Sequence, residues 1–436
     1  MISKLLPIIH IIVGVFIMLM GMSISHGQGV GLWTSYLNVI FMSLGIYYIL
    51  RALKFYEYVG KKNIVFFICG VSGITVFCIW FSSSFLFTDL LGDSYEISSH
   101  WEHSWCYQNI RTIAESIKSG ENLSSTLDGL YLRQYEKSFT YSSLMFIFGG
   151  NEPTNICIWN GMHLAIIAIM ACLIAVRLGV EDKKRLSFIF FVVLFLPFFD
   201  ALHIYHRDNV GEALLMIGMY IFVCVYKKPL WSLVFMPLFV FLFYCFRFQY
   251  GIVAVLLYFW CVLINATKKV GSLLEFVVLV VVAILLINYI NIDAFLEQDL
   301  NYTIYSENIL GRGGGFLRTF VVGLVGYFPW TNLLRDPYWT YHVFMPLQAM
   351  INISVLFLLF LNYKRNLIQL AVNPALMCGL MLFFLGFGGG VGHVSYFAAG
   401  MPLLIIGIKR KFSLFVKVMA VFISINFFAG ILYGLL

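Results

Sequence analysis

The 436-residue chain is 61% hydrophobic and only 11% charged, where soluble domains hold about 45–50% apolar and about 25% charged residues. That balance excludes a soluble enzyme and predicts an all-α polytopic membrane protein, one integral membrane domain over 1–436 whose core is helix packed on helix in lipid. The net charge of +7 reads as a topology signal and not as nucleic-acid binding, because the basic residues concentrate in alternate connections.

A helical span takes about 20 apolar residues, and the first such runs lie near 5–23, 32–53 and 63–87. The first has one Lys ahead of it and no small-x-small cleavage site before a soluble domain, so it reads as a retained span and not as a signal peptide. The polar segment 88–154 follows, opening on Asp89-Leu-Leu-Gly-Asp93-Ser-Tyr-Glu96 and continuing through His100, Trp101, Glu102, His103 and Trp105. Within it Ile110, Ile113, Ala114 and Ile117 recur at helical spacing, with Arg111, Glu115 and Lys118 on other faces. Tyr107 to Gly120 is therefore predicted to be an amphipathic interfacial helix, too short to span and lying along the membrane surface. Asp93 and Glu96 stand just before it, where the third span should surface. A carboxylate there can take a proton from an acceptor hydroxyl; solvated loop acids or helix caps are the competing reading. Most of the nine Cys are scattered singly in apolar segments, where a thiol is a small hydrophobe. Cys106 within the polar segment and Cys157 just after it could meet in an oxidising compartment.

Further apolar runs near 155–176, 186–204, 209–226, 229–246, 250–266, 270–290, 339–361, 366–387, 394–408 and 412–433 bring the expectation to about 13 transmembrane helices, between 12 and 14. The connection between the fifth and sixth runs packs Asp200, His203, Tyr205, His206, Arg207, Asp208 and Asn209 together at a span mouth. Ionisable groups at that depth are costly and usually functional. Arg207 is suited to a phosphate, with Asp208 orienting it or serving as a second acid; a local Arg207–Asp208 pair capping a helix from Asn209 is the alternative. Arg247, beside Gln249 and Tyr250, offers a planar fork for diphosphate oxygens, or it snorkels to headgroups. The segment 291–338 carries Gly311-Arg312-Gly-Gly-Gly-Phe-Leu-Arg318, then Tyr327-Phe-Pro-Trp330, and reads as re-entrant or interfacial. Arg312 and Arg318 in it suit an anionic headgroup or diphosphate.

Sidedness follows from Lys and Arg. One set of connections holds Arg51, Lys54, Lys61 and Lys62, then Arg177, Lys183, Lys184 and Arg185, then Lys227, Lys228, Lys268, Lys269, Lys364, Arg365 and Lys409-Arg410-Lys411. That set is predicted to be cytoplasmic, with the N-terminus inside. The long connections 88–154 and 291–338 then face outward. The inner connections are short, with no Walker loop and no GxGxxG after a strand, so nucleotide chemistry is not expected.

Several of these residues carry a resemblance. Asp93-Ser-Tyr-Glu96, Tyr141-Ser-Ser-Leu-Met-Phe-Ile-Phe-Gly149-Gly-Asn151, Asn160, His206-Arg207-Asp208 and Phe316-Leu-Arg318 with Phe328-Pro-Trp330 resemble bacterial O-antigen or capsule repeat-unit polymerases (Wzy-type) and the related class C polyprenyl-dependent glycosyltransferases. In class C enzymes the large loop usually follows the first span and here it follows the third; two extra N-terminal spans restore the register. The resemblance implies a glycosyltransferase of the bacterial inner membrane that polymerises undecaprenyl-diphosphate-linked repeat units at the outer face, in lipopolysaccharide or capsule polysaccharide biosynthesis. It makes Asp93, and in the next outer loop Asp208, the catalytic acids; the residues themselves add Glu96 as a catalytic candidate and His206, Arg207, Arg247, Arg312 and Arg318 as the diphosphate-binding set. It implies a lipid-linked oligosaccharide as substrate and room for a chain-length regulator as partner, while the residues, with no CxxC or Cys/His cluster, give no reason to expect a cofactor or metal. A single-sugar class C transferase and a polysaccharide flippase are the alternatives.

Overall fold

The computed structural model describes residues 2–24, 32–81, 101–130, 136–149, 155–195, 207–246, 248–267, 351–361, 373–388, 400–408 and 412–435, and every regular element among them is a helix. In chain order these are α1 (Ile2–Ile24), α2 (Leu32–Ala52), α3 (Tyr56–Val59), α4 (Lys61–Phe81), α5 (Trp101–Ser119), α6 (Leu123–Leu130), α7 (Glu136–Gly149), α8 (Asn155–Arg177) and α9 (Lys183–Phe195). They continue as α10 (Arg207–Val225), α11 (Pro229–Phe246), α12 (Phe248–Thr267), α13 (Ile351–Phe360), α14 (Pro374–Gly388), α15 (Met401–Gly407) and α16 (Phe412–Leu435). Among the described residues three stretches, Ser35–Ala52, Lys61–Trp80 and Asn155–Arg177, are long and apolar enough to cross a membrane. The run near 270–290 and the segment 291–338 lie outside the described residues.

Helix ends follow local chemistry. Asp182 Oδ1 accepts the Lys184 N–H at 3.0 Å and so starts α9, and Asn373 Oδ1 accepts from Ala375 and Leu376 at 3.0 and 3.2 Å to start α14. Helix α5 stops at Gly120, whose φ of 73° lies in the left-handed region, and the Glu121 N–H closes the last turn on Ser116 O at 3.1 Å.

The chain divides into two compact units. In the first, Met1–Ile217 with Cys245–Arg247, α1 lies against α2, and His10 stacks on Tyr48 at 5.2 Å. Helices α2 and α4 share a Ser43–Ser72 hydroxyl hydrogen bond of 2.6 Å. Phe67 of α4 stacks on Phe190 of α9 at 3.8 Å, and Asn63 Nδ2 donates to Ser187 Oγ at 2.8 Å, tying the starts of the same two helices. In the second unit, Gly218–Tyr244 with Phe248–Leu436, Phe222 of α10 stacks on Phe239 of α11 at 4.7 Å. There α12 packs on α14, α14 on α15, and Phe357 of α13 meets Phe422 of α16 edge-on at 5.8 Å.

The polar segment differs from its expectation. Its described part is three helices, α5 to α7, and α5 starts at Trp101 instead of Tyr107. The apolar face expected to lie on lipid is covered by protein. Ile110, Ile113 and Ala114 are each 0% exposed, α5 packs along α7, and Tyr107 meets Phe146 edge-on at 5.2 Å. Only Ile117 of that periodic set stays open, at 37%. Burying this face on a neighbouring helix removes the same apolar area from water that a lipid surface would.

Candidate functional site

Of the residues singled out from sequence, Arg207 and Asp208 form the first turn of α10, which begins there and not at Asn209. Asp93, Glu96, His206, Arg247, Arg312 and Arg318 lie outside the described residues. Cys157 and Cys78 are both buried, and the Cys106 side chain, the partner weighed for Cys157, lies outside the described residues.

The described polar chemistry gathers instead where the polar segment meets α8. This helix opens Asn155-Ile-Cys-Ile-Trp159-Asn160-Gly161-Met-His163, and Asn155, Trp159, Asn160 and His163 are all buried. Gly161 is the point of closest approach. A Cβ there would collide with Thr75 Oγ1 of α4 and stand 3.1 Å from Met42 Sδ of α2, so only glycine lets the three helices meet. Thr75 is itself turned back on its own helix, donating to Val71 O at 2.9 Å.

Trp159 and His163 sit one turn apart on α8 with ring centroids 4.9 Å apart. Tyr141 of α7 covers both, tilted on Trp159 at 5.3 Å and edge-on to His163 at 5.7 Å and 89°. His163 Nδ1 lies 2.6 Å from the Trp159 carbonyl oxygen. A carbonyl only accepts, so Nδ1 carries the proton and the other ring nitrogen of the neutral imidazole is left as an acceptor. That nitrogen, Nε2, is buried and without a hydrogen-bond partner among the described residues, and so is the Trp159 indole N–H. Leaving such a group unsatisfied costs about 1–3 kcal/mol. Burial pushes the Tyr141 phenol from 10.0 up to about 12, so it stands as a neutral O–H at physiological pH.

A second buried group is Glu212, 2% exposed, one turn beyond Asp208 in α10. Among the described residues no three His, Cys, Asp or Glu side chains converge on a metal-sized site.

Sequence reasoning passed over Tyr141, Trp159, His163 and Glu212 as functional candidates. For Glu212 the signal is plain: one acid within the apolar stretch Val210–Val225. For Trp159 and His163 the signal is weaker, two polar-tipped rings at i and i+4 in an otherwise aliphatic span. Comparison with protein-family models, curated proteins and solved structures finds no match for the chain.

Proposed function

We propose that the protein is a polytopic inner-membrane glycosyltransferase of about 13 spans with its N-terminus in the cytoplasm. It polymerises undecaprenyl-diphosphate-linked repeat units of a surface polysaccharide at the outer face. Asp93, or Glu96 in its place, takes the proton of the acceptor hydroxyl, with Asp208 as a further acid. His206, Arg207, Arg247, Arg312 and Arg318 hold the departing diphosphate and stabilise its growing charge.

The observation that carries this reading is the folding of the polar segment back onto the start of α8, where Tyr141 meets Trp159 and His163. Flat rings edged by hydrogen-bonding atoms match a sugar's apolar faces and hydroxyl rim. The arrangement also agrees with the proposed sidedness. The lysine-rich starts of α4 and α9 are joined through Asn63 and Ser187, while Trp159 lies near the opposite end of α8, about 27 Å from Arg177 at about 1.5 Å per residue.

Asp93→Ala tests the reading in a strain lacking the chromosomal copy. Long-chain polysaccharide should vanish while the protein accumulates normally, and a wild-type chain-length ladder from that variant would refute the assignment. A flippase is the second reading, favoured by the buried Glu212 carboxylate in α10, since intramembrane acids mark transport pathways. A polymerase defect leaves single lipid-linked units outside the membrane; a flippase defect leaves them inside.

A further inference from the structure

We infer that Trp159 and His163, walled by Tyr141, form a subsite for a neutral sugar hydroxyl, an inference that rests on the glycosyl-transfer reading. The two unpartnered atoms are complementary. The indole Nε1 only donates, and His163 Nε2 only accepts because Nδ1 carries the proton and donates it in a hydrogen bond to the Trp159 carbonyl. They belong to rings one turn apart on the same helix, 4.9 Å between centroids and tilted at 57°.

A hydroxyl is the group that can satisfy either atom, accepting from the indole and donating to the imidazole. A phosphate or carboxylate oxygen only accepts and would leave Nε2 bare. An ammonium only donates and would leave the indole N–H bare. The diphosphate end of a lipid-linked substrate is therefore the wrong chemistry for this place, and the uncharged saccharide is the right one. Tyr141 supplies a third ring on the one side of the pair covered by α7, and it is itself only half-buried. Water offers the same donor and acceptor, so the test must separate a sugar hydroxyl from a trapped water.

Full-length protein in nanodiscs is treated with diethyl pyrocarbonate, which acylates an unprotonated imidazole nitrogen, and the His163 peptide is followed by mass spectrometry. Glucose, galactose or N-acetylglucosamine at high concentration is expected to slow the reaction several-fold, and less so in Trp159→Phe. Equal rates with and without all three sugars, or no reaction at His163, overturns the subsite in favour of water or a closed core. In cells, Trp159→Phe and His163→Phe keep an aromatic ring but remove its nitrogen and should lower polymer output about tenfold at normal protein levels, the loss expected when one neutral hydrogen bond is removed. Wild-type output from both variants would also overturn it. If Asp93→Ala abolishes polymer but no sugar protects His163, the subsite alone fails. If sugars protect His163 but Asp93→Ala is harmless, a carbohydrate site stands and the polymerase reading falls.

Discussion

Gly161 is the residue on which the candidate site's geometry turns, because it lets α8 approach α4 and α2 closely enough to bury Asn160 and His163 beside it. The same helix packing contains a control. Gly73 of α4 has nothing within 4 Å of the position its Cβ would take. A methyl at Gly161 must push Thr75 or Met42 aside, and forcing extra atoms into a packed interior costs about 1–3 kcal/mol. A methyl at Gly73 meets no atom and reduces the chain's freedom when unfolded, which stabilises by about 0.4–1 kcal/mol. Gly161→Ala should therefore lower the midpoint of thermal unfolding in nanodiscs, and Gly73→Ala should hold or raise it. Equal shifts for the two would show that α8 does not pass α4 at Gly161.

At the scale of elements, α5 decides whether the polar segment is a folded cap or a film on the bilayer. Helix α5 buries Ile110 and Ile113 on protein and leaves Ile117 open. Removing the buried side chain by Ile113→Ala should destabilise by about 2–5 kcal/mol, and Ile117→Ala by less than about 1 kcal/mol. Trypsin cleavage at Lys118, followed over temperature, reads the difference. A helix lying on lipid would lose similar amounts at both positions, and that result would restore the interfacial arrangement. The 3.6-residue recurrence of Ile110, Ile113 and Ala114 made α5 legible in the sequence, since periodicity records that one face is covered. What covers it leaves no trace in that pattern. Helices α6 and α7 were not legible. Leu123–Leu130 is short, and Glu136–Gly149 carries Ser138, Thr140, Ser142 and Ser143, residues that favour turns locally and are helical here through packing on α5 and α8. The site shows the same asymmetry. Ionisable residues in connections, such as Arg207 and Asp208, stand out against an apolar background. His163 and Trp159 do not, because a lone ring in an aliphatic run has the look of core until its neighbour on another helix is known.

For the molecule as a whole, the direction of three helices within the first unit is enough to test the proposed topology. Asn63 near the start of α4 bonds Ser187 near the start of α9, whereas Gly161 early in α8 faces Thr75 late in α4. Helices α4 and α8 therefore run antiparallel. The lysine-bearing starts of α4 and α9 sit at the end of α8 that carries Arg177, and α5 to α7 precede its other end. If α8 crosses the bilayer, which its length and apolar character permit, the α5–α7 cap and the lysine cluster are on opposite sides. The proposed topology puts the second group, with its excess of Lys and Arg, in the cytoplasm. Alkaline phosphatase, active only after export, should then work when fused after Gly120 and fail when fused after Gly179, and a fluorescent protein that matures only in the cytoplasm should give the reverse. Equal signals at the two sites would mean that α8 does not span. Inverted signals would put Tyr141, Trp159 and His163 near the cytoplasmic face, where a polymerase of exported repeat units has no substrate, and the proposed function would fall with the topology.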